Sequence, residues 1–419
     1  MEKITAIILA AGKGTRMRST LPKALQELNS KPLIYYILKE LSSLDKYIGQ
    51  IIVVVGHKAD LVQKYIGKNF KDIDFVIQRD ISGTASAVKC TKSKVRCKKV
   101  LIVCGDSPLI TRDTLKLFIR FSLKKNPVCS VVTAYMDEEN DFGAILRDKN
   151  GNACAVCERI DRQGLKVSKE VNSGIYSFDT DLVFEAIDKI KKNPRKKEYF
   201  FTDIVEVLYR EKYTINTYFL DEPEEVMSVN SKSDLVRVQG VMQKRVINKL
   251  IDSGVKIIDP QTTFIAPGVK IGKNTVIYPF TFIERNVIIG NNCLLGPFIH
   301  LRGKTSIAAN THLGNFLEVN RSRLGKKVKA KHFGYLGDVT VGDNVNIGAG
   351  TVVANFDGKA KNKTSIKKNA FIGSDTILVA PVKIGEKSVT GAGSVVTKNV
   401  KPNTVVAGVP ARILKKSKR

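Results

Sequence analysis

The chain has 419 residues, a formal net charge of +29 and a 43% hydrophobic content. That length exceeds one ordinary domain, and that apolar fraction fills cores rather than a disordered basic tail. The charge excess points to anionic partners without naming the anion.

No segment reaches the roughly 18 apolar residues that span a bilayer. The opening MEKITAIILAAG runs from a brief apolar stretch into a glycine-rich loop, unlike a secretory signal. Seven cysteines, with Cys154 and Cys157 as the one CxxC pair, suit neither a disulfide framework nor a zinc centre. The expectation is a reduced, cytoplasmic chain with no membrane insertion. The basic residues are scattered, with no nucleic-acid-binding signature, so no nucleic acid is expected as partner.

In chain order, Ile4–Leu9 is a buried strand followed by a turn. Pro32–Leu44 has helical spacing, and Ile51–Val55 is a second buried strand. Phe75–Gln78 and Val100–Val103 follow as strands, with Ala85–Cys90 and Thr111–Leu123 as helices. This alternation predicts an α/β, Rossmann-like domain over residues 1–228, with a mostly parallel sheet. Ligands in such sheets sit beyond the carboxyl ends of the strands, so the informative loops follow Leu9, Gln78 and Val103.

Residues 229–250 carry Leu235, Val238, Val241, Met242, Val246, Ile247 and Leu250, a pattern for a helical linker of one helix or a pair. Beyond Ile251 the pattern changes. Apolar residues recur every six positions from Ile265 through Ile271, Ile277 and Ile283 to Val319. Five-residue steps lead to Leu324 and Val341, a polar insertion covers Ala354–Ser365, and the period returns from Ile366 to Val396. A 3.6-residue helical stripe cannot produce this spacing. It predicts an all-β domain over residues 251–410, a parallel β-helix of hexapeptide repeats, with a basic tail over 411–419. Its flat faces favour a site walled by a neighbouring chain and hence a cyclic oligomer, with three faces suiting a homotrimer.

The loop Leu9-Ala10-Ala11-Gly12-Lys13-Gly14-Thr15-Arg16 is either a phosphate nest or a plain tight turn. Lys13, Arg16 and, beyond a rigid Pro22, Lys23 can neutralise phosphate charge. Gln78 can pair with a base edge, and Gly83-Thr84 leaves room for a ring. Asp106, at the end of a strand, is a metal ligand beside phosphates or a helix cap. In the second half, His332 is a general base or a satisfied surface histidine. An ordinary imidazole, with a pKa of about 6.5, suits the first role.

LAAGKGTRM, LPKAL, GTA, GD, VNSGIY and SVN, joined to LGNFLEV, HFGYLGDVTVGDNVNIGAGTVVANFDG and FIGSDTILVAPV, give a specific resemblance. The chain resembles the bifunctional N-acetylglucosamine-1-phosphate uridyltransferase/glucosamine-1-phosphate N-acetyltransferases. The likeness covers about residues 4–400. It implies a left-handed β-helix and a cytoplasmic enzyme of cell-wall precursor synthesis. It also implies Mg²⁺ as cofactor, with UTP, acetyl-CoA and phosphorylated amino sugars as substrates.

The resemblance assigns Leu9–Gly14, Lys23, Gln78, Gly83 and Thr84 to UTP. Lys23 and Arg16 stabilise charge during transfer, and Asp106 and Asn230 hold the metal. Gly143, Glu158, Asn172 and Asn230 meet the sugar phosphate. On the β-helix it makes His332 the general base. Arg302, Tyr335, Asn346, Asn355 and Lys361 hold the acetyl acceptor, with Lys361 reaching in from a neighbouring subunit. Asn355, Phe356, Ser374 and Ala392 belong to the acetyl-CoA path.

The chain also departs from the family. Cys104 and Phe200 stand where tyrosines are common, Ser86 where histidine is frequent, and Ala144 where an arginine is familiar. Phe356 takes the place of a frequent tyrosine. Asn320 replaces a phosphate-binding lysine beside Arg321, and Gly408 replaces an arginine used for coenzyme phosphate. Arg412 or the Lys415–Arg419 tail is then the alternative source of positive charge. Two other readings stay open: a sugar-1-phosphate nucleotidyltransferase of different specificity with a structural or divergent β-helix, and a non-enzymatic scaffold.

Overall fold

The structure is a computed structural model that describes residues 2–124, 127–136, 140–162 and 167–416. The last three residues of the basic tail, 417–419, lie outside the described residues. Two compact units divide the chain, residues 1–240 and 241–419. The division falls inside a single helix, Lys232–Asp252, so the helical stretch is one helix and not a pair.

The first unit is built on one sheet. Its strands run in the order Ile215–Leu220, Cys129–Tyr135, Glu170–Asp179, Lys99–Cys104, Ile4–Ala10, Ile48–Val55 and Ile73–Ile77. The pairings along this path are parallel except around Glu170–Asp179, which runs antiparallel to both neighbours. The hairpin Ala144–Arg147 and Ala153–Cys157 attaches to that strand. Side chains alternate across the sheet. Ile4, Ala6 and Ile8 join Ile34 and Leu38 of helix Leu33–Ser42 in one core, while Ile7 joins Val88 and Phe178 in another. Cover on both faces explains why these strands are continuous apolar runs.

Strand Ile4–Ala10 lies between Ile48–Val55 and Lys99–Cys104. The chain moves outward on one side of it through Ile73–Ile77, then returns on the other side. That reversal opens a crevice at the carboxyl ends of these strands. The loops after Ala10 and Cys104 border it.

The second unit is a left-handed parallel β-helix whose short strands stack into three sheets. The hexapeptide positions form its interior. Ile265, Ile277, Ile283, Leu295, Leu301 and Leu313 are fully buried in one continuous core. Ile271, near the first coils, is only partly buried. Thr390 takes an apolar position, and its hydroxyl is satisfied by Thr376 Oγ1 at 3.0 Å and by the Gly373 amide at 3.1 Å. Asn274, Asn292, Asn310 and Asn344 turn corners at φ between 56° and 61°. Asparagine tolerates that left-handed conformation better than most residues.

Three faces result. The first includes Asn346–Ile347, Phe371–Ile372, Val389–Thr390 and Thr404–Ala407, closed by the antiparallel strand Arg412–Lys416. The second includes Ile299–Arg302, Leu317–Asn320, Gly334–Gly337 and Thr351–Ala354. The third includes Arg323–Leu324, Val339–Val341 and Thr364–Ile366. The polar insertion is a loop between the second and third faces. Among the described residues no helix is long and apolar enough to cross a membrane.

Candidate active sites

A cavity of about 430 Å³ lies at the crevice of the first unit. Leu9, Ala10, Ala11, Gly12, Lys13 and Gly14 line it, together with Lys23. Gln78, Gly83 and Thr84 form another wall, and Cys104 and Asp106 a third. Gly14 has φ 65°, and a Cβ there would stand 2.7 Å from Lys23 Cβ, so glycine lets the lysine pack against the loop.

Lys23 is the focus of the charge. Its ammonium bonds the Asp106 carboxylate and lies 2.6 Å from Asn230 Oδ1. The Asn230 and Ser231 amides donate to Asp234 Oδ2 at 3.0 and 2.8 Å, which fixes the start of helix Lys232–Asp252. Two oxygen donors, Asp106 and Asn230, therefore bear on one cation. No cluster of three or more His, Cys, Asp or Glu groups fit to hold a metal occurs among the described residues.

Gln78 is 3% exposed. Its amide nitrogen donates to Gly83 O at 3.0 Å and to Ser86 Oγ at 2.9 Å. With the nitrogen engaged, the amide oxygen remains as an acceptor, which suits the N–H of a uracil-type base edge. Ser86, in the place of the frequent histidine, therefore orients Gln78. Gly83 has φ 124° and packs on the Tyr199 backbone, where a Cβ would stand 2.6 Å from Tyr199 N. Burial pushes the Cys104 thiol up to about 12, so it faces the cavity neutral and unreactive.

Gly143, Glu158 and Asn172 come together. The Asn172 amide donates to Gly143 O at 2.9 Å, and a Cβ at Gly143 would sit 3.4 Å from Glu158 Oε1. Burial raises the Glu158 carboxyl above the ordinary range, and the Thr202 hydroxyl donates to it at 2.7 Å. Arg16 does not line the cavity. It pairs with Asp141 at 3.0 Å, and Arg159 reaches the same carboxylate.

The β-helix carries a second cavity of about 440 Å³. His332, Asn346, Ser374 and Ala392 line it together. Asn346 therefore shares the groove of Ser374 and Ala392, apart from the Arg302 group with which sequence reasoning placed it. Outward positions of the first face continue the groove rung by rung, through Asn346, Phe371, Val389 and Val405 to Lys415. Arg412 pairs with Ala407 on the closing strand. Four rungs at ~4.8 Å span ~19 Å.

The remaining predicted residues lie on and beyond the second face. Arg302 donates to Glu318 at 2.6 Å. Asn320 is 2% exposed, and its Oδ1 accepts from Arg321 at 2.9 Å. Arg321 grips Asp338 with two bonds of 2.8 and 2.7 Å, and the Asn355 amide bonds the same carboxylate. The Arg321 bonds hold the Asp338 carboxyl below its ordinary range. Arg321 is thus committed to Asp338 beside the missing lysine. Phe356 is exposed and bridges to Lys361 across the inserted loop. Asp357 braces that loop by accepting from the Lys359 and Ala360 amides and from Asn362. Tyr335 stacks beside Glu318 on the second face.

Sequence reasoning missed Glu318, Asp338 and Asp141. The signal for the first two was available: coils of 17 or 18 residues place Arg302 near Glu318 and Arg321 near Asp338 on adjacent rungs.

Both units are similar to known proteins. A nucleotidyl transferase family model matches residues 5–223, and a bacterial transferase hexapeptide model of six repeats matches residues 363–398. The bifunctional protein GlmU of Fervidobacterium nodosum is 37% identical over 98% of this chain and 95% of its own length. The same-named protein of Thermosipho melanesiensis is 36% identical over 98% and 96%. That of Bacillus licheniformis is 34% identical over 96% and 94%. With both units matched along nearly the whole length, the chain belongs to the family of the bifunctional GlmU proteins.

Proposed function

We propose that the chain performs two successive reactions that yield UDP-N-acetylglucosamine. The β-helix acetylates glucosamine 1-phosphate with acetyl-CoA. The first unit then transfers UMP from UTP to N-acetylglucosamine 1-phosphate and releases pyrophosphate. The observation that carries this reading is the pair of built cavities on one chain: a phosphate loop facing Lys23 and Asp106, and a groove headed by His332.

In acetyl transfer, the sugar amine attacks the thioester carbonyl carbon and the C–S bond breaks. His332 takes the amine proton and returns a proton to the leaving thiolate. Arg302, Tyr335, Asn355 and Lys361 hold the sugar phosphate, with Glu318 and Asp338 fixing the arginines and Asn355. The coenzyme runs along the rungs past Ser374 and Ala392. Arg412 and Lys415, at the far end, meet its phosphates in place of position 408.

His332 and Asn355 stand at opposite edges of the second face. The strand Gly334–Gly337 between His332 and Asp338 spans ~13 Å. One protomer therefore presents a base at one edge and acceptor-binding groups at the other. A homotrimer closes this gap, with Lys361 and Asn355 of a neighbour meeting His332. We place the enzyme in the cytoplasm.

In uridylyl transfer, a sugar phosphate oxygen attacks the α-phosphorus of UTP in line, and pyrophosphate leaves. The loop amides, Lys13 and Lys23 stabilise the charge that develops. Gln78 reads the base, and Glu158 with Asn172 orients the sugar. Arg16 reaches the triphosphate by leaving Asp141. The Asp106 and Asn230 oxygens, which converge on the Lys23 ammonium, are hard donors and would be the chain's ligands to Mg²⁺. Such an ion supplies electrostatic stabilisation at the phosphates.

A paired assay tests the reading. Glucosamine 1-phosphate with acetyl-CoA, and N-acetylglucosamine 1-phosphate with UTP, should both be turned over. Glucose 1-phosphate and dTTP should compete poorly. Activity in the second pair alone would favour a nucleotidyltransferase with a divergent β-helix, the reading suggested by Asn320 and Gly408.

A further inference from the structure

The Lys23 ammonium sits where the oxygens of Asp106 and Asn230 converge. Both charged side chains are less than one-fifth exposed. A shielded carboxylate needs a counter-ion, and Lys23 provides one from within the chain. A divalent cation on the same two oxygens would stand within a few ångströms of the ammonium. Like charges at that distance repel strongly in a partly shielded site. The two cations therefore exclude one another.

Lys23 also has somewhere else to go. Gly12, Lys13 and Gly14 face it across the same cavity and form the phosphate loop. A triphosphate bound there offers new oxygens to the ammonium, and a lysine's four-carbon stem bends at little cost. Moving the ammonium onto phosphate frees Asp106 and Asn230 for a metal ion.

We propose that Lys23 is a built-in gate for the divalent metal: its ammonium holds the Asp106–Asn230 pair until a nucleoside triphosphate draws it away. Metal binding then requires nucleotide, and the enzyme does not load Mg²⁺ alone. The inference rests on the assignment of Asp106 and Asn230 as the metal oxygens.

The test is Mn²⁺ binding by the full-length protein, followed by equilibrium dialysis, in which free Mn²⁺ and its complex with UTP equalise across the membrane and only protein-bound metal is in excess. Wild type should take up Mn²⁺ tightly only when UTP is present. Lys23→Met should bind Mn²⁺ without nucleotide about tenfold or more tightly than wild type, since a like charge has been removed. Adding Asp106→Asn to Lys23→Met should cancel that gain. Lys23→Arg keeps the cation and should behave as wild type, a contrast that a folding defect would not produce. If wild type binds Mn²⁺ with UTP but Lys23→Met gains nothing without it, the gate is overturned and the metal assignment stands. If wild type binds no Mn²⁺ even with UTP, the metal assignment fails and the gate with it.

Discussion

Lys23 Nζ lies 2.6 Å from Asn230 Oδ1, although the two residues are 207 positions apart. The contact joins the first loop of the sheet to the segment that leads into helix Lys232–Asp252, and Asp106 completes it from the adjacent strand end. Asp106→Asn removes the only carboxylate of this group. It should cut UTP-dependent pyrophosphate release by about 10²-fold or more while leaving acetyl transfer at the wild-type rate. A coupled pyrophosphate assay beside a thiol-release assay measures both.

His332→Ala should have the opposite pattern. Loss of a positioned base costs about 10²- to 10⁴-fold in acetyl transfer. Uridylyl transfer should be unchanged. Retained thiol release would remove His332 from proton transfer.

The closing strand Arg412–Lys416 extends the groove face by one rung. Truncation after Pro410 should raise KM for acetyl-CoA about tenfold and leave KM for glucosamine 1-phosphate nearly constant, because charge-assisted phosphate contacts act on the coenzyme alone. Arg412→Ala with Lys415→Ala should reproduce much of that effect. An unaltered KM in both variants would take the closing strand out of the coenzyme site.

Gly83→Ala meets two obstacles at once, a φ of 124° and the Tyr199 backbone. Strain of about 1–3 kcal/mol should lower stability, and displacement of Gly83 O should release Gln78. Weaker UTP binding and a reduced preference for uridine over cytidine nucleotides, measured by calorimetry, are the expected results.

Asp203 carries a pH dependence of stability. Burial, reinforced by the Glu158 charge, pushes its carboxyl up to about 6. The unfolded group titrates near ~3.9, so between these values the folded state holds more protons than the unfolded state. This residue's contribution therefore favours folding below ~4, declines as pH rises to about 6, and is flat above. Asp203→Asn should raise the midpoint of thermal unfolding relative to wild type at pH 7 and change it little at pH 4. Scanning calorimetry at several pH values checks the sign.

Periodicity made the β-helix legible from single residues, because each interior position demands an apolar side chain and each coil repeats the demand. Ile277, Leu295 and Leu313 stack as the six-residue step requires. The first cavity was legible for a different reason: α/β sheets gather ligands at strand ends, so Gly12, Gln78 and Asp106 could be read from their loops. The Lys23–Asn230 contact is not visible in spacing, and the resemblance assigns Lys23 to UTP and Asn230 to the metal without joining them. Contacts between loops carried no periodic trace. Arg16 and Asp141 are 125 positions apart, and nothing in either local sequence announces their pairing. Asp338 lay within reach of inference, since coil length fixes its neighbour, but its role emerges only when Arg321 and Asn355 are seen to converge on it.

Two independent reactions share one chain. Mixing tests it directly. Asp106→Asn and His332→Ala, each alone, should fail to convert glucosamine 1-phosphate, acetyl-CoA and UTP into UDP-N-acetylglucosamine. Combined in one tube, they should restore its formation, as one variant supplies the acetylated intermediate that the other consumes. Product formation by either variant alone at the wild-type rate, or none from the mixture when the wild type is active, would show that the two sites do not divide the reactions in this way.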